Sequence, residues 1–178
     1  YDMAQQLWGV VRPLQERSGK LQSSTVTSES GQTIFLANST SDLQPEIDKI
    51  RRELVGRGHS VVPNQVLATV GHELEHQVQG FLEKSDLSIH LVGASYGLVP
   101  EGAEESIVEI QNRLAAKRAA ENGLERVVWI PRGIEVNDDR QLNFLEELKT
   151  SPQMHAGAEI IQDNYTEMKE FVLDRLDK

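Results

Sequence analysis

The segment Leu87-Ser-Ile-His-Leu-Val92 is a short, mostly apolar run, and the residues after it decide the fold. A glycine-bearing loop, Gly93–Gly102, leads into Glu104–Asn122, which has helical periodicity and stops at Gly123. A second apolar run, Arg126-Val-Val-Trp-Ile130, comes next and is closed by Pro131. Strand, long helix and strand in succession make a β-α-β unit, whose two strands run parallel. Working outward, the alternation continues in both directions. Upstream, TIFLA (33–37) reads as a buried strand. Asp42–Arg57 reads as a helix with Ile47, Ile50, Leu54 and Val55 as its apolar positions, ending at Gly56 and Gly58. Ser60–Val62 is a short strand ended by Pro63, and Val66–Lys84 is mostly helical, with Leu74, Val78, Phe81 and Leu82 on one side. Downstream, Gln141–Leu148 is a helix, Ala158–Ile161 a strand and Tyr165–Leu176 a last helix. Five strands alternating with five helices predict an α/β fold of the doubly wound, flavodoxin-like class with a five-stranded parallel sheet. Ligands of such sheets sit at the carboxyl ends of the strands. Here those ends are Ala37–Asp42, Pro63–Gln65, Gly93–Gly97 and Pro131–Gly133.

The first part of the chain differs in character. Met3, Leu7, Val10, Val11 and Leu14 suit one face of a helix over Met3–Arg17, interrupted by Pro13. Ser18–Gln32 is rich in Ser, Thr and Gly and reads as a linker. A boundary near Gly31 divides an N-terminal helix and linker, 1–31, from an α/β domain, 32–178. The chain opens on Tyr1 with no signal peptide and reads as a segment of a longer protein. Its 178 residues are 38% hydrophobic and 26% charged, enough to build a core. No apolar run approaches the ~20 residues of a membrane helix. The absence of cysteine excludes disulfides, thiol nucleophiles and cysteine-based zinc or iron–sulfur sites, and fits a reducing compartment. A net charge of −10 disfavours broad binding to nucleic acid or anionic lipid.

Two motifs suggest chemistry. His72-Glu73-Leu74-Glu75-His76 matches H-E-x-x-H, in which two histidines one helical turn apart share a zinc. No third ligand comes at a suitable spacing, so a charged helix face is the reading preferred and no metal is expected. Gly93-Ala94-Ser95-Tyr96-Gly97 matches G-x-S-x-G, with Asp138, Asp139 and His155 later in hydrolase order. A nucleophile elbow needs a helix directly after its serine, whereas Gly97–Gly102 is loop chemistry. The preferred reading is a strand-to-helix loop whose small residues admit a ligand.

Three segments taken in order carry a resemblance: TIFLANSTSD (33–42), Gly58-His59-Ser60-Val61-Val62-Pro63, and His90-Leu-Val-Gly-Ala-Ser-Tyr-Gly97 followed by Ser106-Ile-Val-Glu109. Together they resemble bacterial TIR (Toll/interleukin-1 receptor-like) domains from about Gln32 to the C-terminus. The resemblance implies a cytosolic five-stranded module that either cleaves NAD+ at the nicotinamide–ribose bond or acts as a non-catalytic scaffold through homotypic assembly. It implies a catalytic glutamate on the helix after the third strand, matched here by Glu109. It also implies an effector role in a bacterial immune-type, antiviral protein, with a sensor domain elsewhere and NAD+ and other copies of the domain as partners. No cofactor is implied; NAD+ is the substrate. The loop Pro63-Asn64-Gln65 corresponds in position to one through which TIR domains meet. Glu105, Ser106 and Ile107 stand near where the plant-type pattern S-x-W-C-x-x-E has Trp and Cys.

The residues allow this chemistry to be argued directly. Nicotinamide leaves NAD+ as a neutral molecule, so no general acid is needed, unlike the paired carboxylates of ordinary glycosidases. One ionised carboxylate suffices to stabilise the oxocarbenium-like transition state, orient the ribose hydroxyls or trap the sugar. Ser106-x-x-Glu109 is also a capping box, in which the glutamate satisfies a backbone N–H; with the resemblance, the catalytic reading leads. Asn38, Ser39 and Asp42 are substrate-binding candidates or cap the next helix, with Ser41 or Asp42 as N-cap. Ser95, Tyr96 and Gly97 line a pocket, where Tyr96 could stack on a ring, or form a buried turn. Arg132 either meets a diphosphate or is solvated. Trp129 belongs to the core.

Overall fold

The computed structural model describes residues 31–178. The chain divides between Gly31 and Gln32. The helix expected over Met3–Arg17 and all but the last two residues of the expected linker lie outside the described residues. From there the elements run β1 (Thr33–Leu36), a 3-10 turn (Ser41–Leu43), α1 (Gln44–Gly56), β2 (Ser60–Val62), α2 (Gly71–Glu83), β3 (Leu87–Leu91), α3 (Ile107–Asn122), β4 (Glu125–Trp129), α4 (Asp139–Thr150), α5 (Pro152–His155), β5 (Ala158–Ile161) and α6 (Tyr165–Leu176). All strand pairs are parallel, in the order β2-β1-β3-β4-β5. This is the flavodoxin-like arrangement. The strand order reverses between β1 and β3, which opens a crevice beyond their carboxyl ends.

Helices cover both faces of the sheet, so β1 reads as an apolar run, whereas β3 alternates Leu87, Ile89 and Leu91 with Ser88 and His90 and is buried on both faces all the same. Ile34, Leu36, Ile89, Leu91, Val127 and Trp129 pack against Ile47, Ile50 and Leu54 of α1 and Met168 and Val172 of α6. On the other face Phe35 and Ala37 meet Leu74 and Val78 of α2 and Ile110 and Leu114 of α3. Farther along that face, Val92, Val128 and Ile130 meet Phe144 and Leu148 of α4 and Met154 of α5.

One strip of the second face is polar. Ser88, His90, Arg126 and Asn112 are all buried. Arg126 donates from Nη1 to the carbonyls of Met154 and Ala156, each at 2.9 Å, and from Nη2 to Asn112. These bonds tie β4 to α3 and to the end of α5. Burial lowers the pKa of Arg126 to about 10. His90 shares a 3.1 Å hydrogen bond between Nε2 and Ser88 Oγ. Burial first, and the charge on Arg126 second, hold His90 well below the ordinary imidazole range.

Several boundaries differ from expectation for local reasons. α2 starts at Gly71, not at Val66, because residues 66–69 form a loop and Val70 is extended and bridges Glu101. The Gly71 N–H donates to the Glu101 carbonyl at 2.9 Å, and the Glu101 N–H to the Thr69 carbonyl at 2.8 Å. This joins the β2–α2 loop to the β3–α3 loop and leaves Val66 92% exposed. Ser106 delays α3 to Ile107, whereas Asp138 caps α4 from Asp139. The short α5, started by Pro152, is an element the periodicity did not predict. Trp129 is core, as expected, with its indole N–H donating to the Asp163 carbonyl at 2.9 Å. Among the described residues no helix is long and apolar enough to cross a membrane.

Candidate active site

The site is organised around the first turn of α3. Ser106 is its N-cap, and Ser106 Oγ accepts the Glu109 N–H at 3.2 Å. In a complete capping box the Glu109 carboxylate would in turn accept the Ser106 N–H. Here that arm is rerouted. The Ser106 N–H donates to Tyr96 Oη at 3.2 Å, and Tyr96 Oη donates to Glu109 Oε2 at 2.6 Å. The tyrosine hydroxyl is inserted between cap and carboxylate, so Glu109 is relieved of backbone capping. Tyr96 provides the one hydrogen bond that the Glu109 carboxylate accepts among the described residues.

Glu109 is half-buried, and its pKa lies above the ordinary carboxylate value. Burial is the main cause, Glu105 and Glu147 add to it, and the Tyr96 hydrogen bond and Arg113 oppose it. Burial and the bond to Glu109 push Tyr96 up to about 12, so the phenol keeps its proton as a donor at neutral pH. The Arg140 guanidinium lies over the Tyr96 ring, 4.5 Å from its centroid. Asp138 holds that guanidinium through bonds of 2.8 and 3.1 Å. Arg113 is shared between Glu75 at 2.7 Å and Glu105 at 2.9 Å.

Beside this cluster, a cleft of about 370 Å³ opens at the carboxyl ends of β1 and β3, within the range of about 300–1,000 Å³ usual for small-molecule sites. Asn38, Ser39, Ser95 and Gly97 line it together, and Leu98, Ile107 and Val108 give it an apolar wall. Gln111, buried on α3, clamps the backbone of Asn38. Its Oε1 accepts the Asn38 N–H and its Nε2 donates to the Asn38 carbonyl, both at 2.9 Å. Ser39 Oγ donates to the Leu91 carbonyl at 2.7 Å. Gly97 has φ +87°, and a Cβ there would stand 2.9 Å from Thr40 Cγ2, so both conformation and close approach require glycine.

The remaining candidates fall outside the cleft wall. Asp42 joins the two loops, accepting the Ala94 N–H at 3.3 Å and the Thr40 hydroxyl proton. Neither Ser41 nor Asp42 is the N-cap; Thr40 precedes the 3-10 turn without a side-chain capping bond. Tyr96 lies between two lining residues, yet the residue is only 6% exposed and its hydroxyl bonds to Glu109. Glu109 follows the wall residue Val108, but its carboxylate meets Tyr96 and does not line the cleft. Arg132 is 70% exposed and pairs with Asp163 at 2.9 Å at the end of β4, away from the cleft. Pro63 is buried, whereas Asn64 and Gln65 are exposed. Gln111, Arg140 and Gln141, which donates to the Gly93 carbonyl at 2.6 Å, are contributors the motif reading missed. One trace of Gln111 is legible in the spacing: it falls one turn after Ile107 on the inward side of the helix.

The two motifs have other surroundings. On α2, His72 and His76 are exposed, Leu74 is buried and Glu75 pairs with Arg113. Among the described residues no group of three or more His, Asp or Glu side chains is placed to share a metal ion. Ser95 is exposed in a loop, and α3 begins only at Ile107. His155 lies with Gly123, Glu125 and Gly157 at the amino-terminal ends of the strands, the opposite edge of the sheet from Ser95.

No family model matches the chain, and no curated protein matches its sequence.

Proposed function

We propose that residues 32–178 are a TIR-type NAD glycohydrolase in which Glu109 is the catalytic carboxylate. The observation that carries the reading is the rerouted cap. A half-buried carboxylate, released from backbone capping and held by one hydrogen bond, stands next to a ligand-sized cleft at the switch point of the sheet. In this reading the nicotinamide–ribose bond breaks with its electron pair leaving on the nicotinamide nitrogen, which neutralises the ring. Water adds to the ribose carbon, giving ADP-ribose and a proton. Ionised Glu109 stabilises the positive charge that develops on the sugar. Asn38, Ser39, Ser95 and Gly97 form the walls against which the substrate rests. The chain then acts in the cytoplasm as the effector of a longer bacterial defence protein, with a sensor domain elsewhere and further copies of itself as partners.

The test is to incubate concentrated protein with NAD+ and follow nicotinamide. Release is expected; none at any concentration, even after fusion to an oligomeriser, rejects the reading. A non-catalytic scaffold is the second reading, and a specific observation favours it. Val66 and Leu98 are 92% and 61% exposed, and their loops are joined by the Val70–Glu101 bridge. Such apolar tips suit docking of further copies. Self-association without NAD+ cleavage would put this reading first.

A further inference from the structure

Tyr96 has a local geometry that stacking on a ligand does not require. Its neighbours Ser95 and Gly97 line the cleft, while Tyr96 itself is buried and is not part of the lining. Its hydroxyl is fixed from two directions, accepting from the Ser106 N–H and donating to Glu109 Oε2. The ring is covered by Arg140, which is itself anchored on Asp138. The backbone just beyond it is set by Gly97, which packs against Thr40. A hydroxyl held in this way has one direction in which to point its proton. We propose, resting on the reading of Glu109 as the catalytic carboxylate, that Tyr96 is its positioning residue. The hydroxyl fixes one oxygen of Glu109 beside the cleft, leaves the other unengaged by it and favours the ionised form.

A hydrogen bond donated to a carboxylate stabilises its charge, so deleting the donor raises the carboxyl pKa. The other charged groups around Glu109 are Glu105 in the preceding loop, Arg113 on α3 and Glu147 on α4, with Arg140 over the tyrosine. All of them remain in Tyr96→Phe, which also keeps the ring and its packing against Arg140.

The experiment combines kinetics with a carbon-13 NMR titration of the Glu109 carboxyl in the parent and in Tyr96→Phe. Expected for the variant are a kcat lower by about tenfold or more, a KM within about twofold, and an acid limb of kcat moved to higher pH. The Glu109 titration should move the same way. Incorporating fluorotyrosine, which makes the phenol a stronger donor without deleting it, should move the titration to lower pH, and this keeps the test available if Tyr96→Phe folds poorly. A purely structural tyrosine would change the melting temperature but leave kcat and the position of its acid limb in place. If Glu109 titrates at the same pH in all three proteins, the proposal is overturned whether or not NAD+ is cleaved. If the titration shifts while the parent releases no nicotinamide, Tyr96 still positions Glu109, and the functional reading is what fails.

Discussion

Glutamine at position 109 keeps the size of the side chain and an oxygen for the Tyr96 hydroxyl, and removes only the charge. The Ser106 cap does not depend on that charge, because its N–H is satisfied by Tyr96. Burial already disfavours the ionised carboxylate. Glu109→Gln is therefore expected to melt at or slightly above the parent temperature. Nicotinamide release should fall by roughly a hundredfold or more, the loss of about 3 kcal/mol of transition-state stabilisation. Parent-like turnover at an unchanged melting temperature would remove Glu109 from the mechanism. His90 supports a second prediction at this scale. Its folded pKa lies well below its unfolded value, which is about 6.5. Below that pH the unfolded chain binds the extra proton and the folded chain does not, so stability falls as pH drops from about 6.5, by up to about 1.4 kcal/mol per pH unit until the folded pKa is reached. Above pH 6.5 the group contributes nothing. Urea unfolding at pH 5 and pH 7 checks this, and His90→Gln should flatten the difference.

At the scale of an element, α3 does three jobs. Its cap presents Glu109, its apolar side packs on the sheet, and Gln111 reaches across to the β1 loop. A carboxamide is needed for this last task, because it must accept from the Asn38 N–H and donate to the Asn38 carbonyl. Gln111→Ala leaves both groups of a partly buried backbone unit without their partner, and a cost of roughly 2 kcal/mol is expected. Gln111→Glu keeps the bond from the Asn38 N–H and loses the other, so it should be intermediate. Hydrogen exchange at the Asn38 amide reads the effect directly: it should speed up strongly in the alanine variant and less in the glutamate variant. Equal exchange in all three proteins would mean that the loop is held by Ser39 and Asp42 instead.

At the scale of the molecule, the β2–α2 and β3–α3 loops are joined to each other and tipped with apolar residues, and Leu98 of the second also lines the cleft. Copies meeting there would raise the local concentration of everything the site lacks alone. Nicotinamide release is therefore expected to rise faster than linearly with protein concentration. A net charge of −10 opposes association, so moderate salt should strengthen the effect by screening it. Val66→Asp places a charge on the most exposed apolar tip and should return the dependence toward linear, without a change in melting temperature. Strictly linear turnover down to dilute monomer would exclude a shared site.

The parallel sheet was legible in the amino-acid order alone. β1, β3 and β4 are covered on both faces, so each is rich in apolar residues, Ser88, His90 and Arg126 being the buried polar exceptions, and the helices between them leave a periodicity of their own. The same order marked Asn38, Ser39, Ser95 and Gly97, because strands of this class end where ligands bind. The Ser106 cap on the Glu109 N–H is local, but the bond between Tyr96 and the Glu109 carboxylate depends on how the β3–α3 loop folds back on the start of α3. Ser106-x-x-Glu109 is the same string whether the glutamate caps the helix or is released from it, and the difference is a hydroxyl that the β3–α3 loop folds back from Tyr96, thirteen residues before Glu109. Packing likewise separated Ser95 from His155 at opposite edges of the sheet, sent Arg132 to Asp163 and gave Glu75 to Arg113. Local spacing reports which way a side chain leaves its own element. What it meets there depends on residues far off in the chain, and packing alone brings those together.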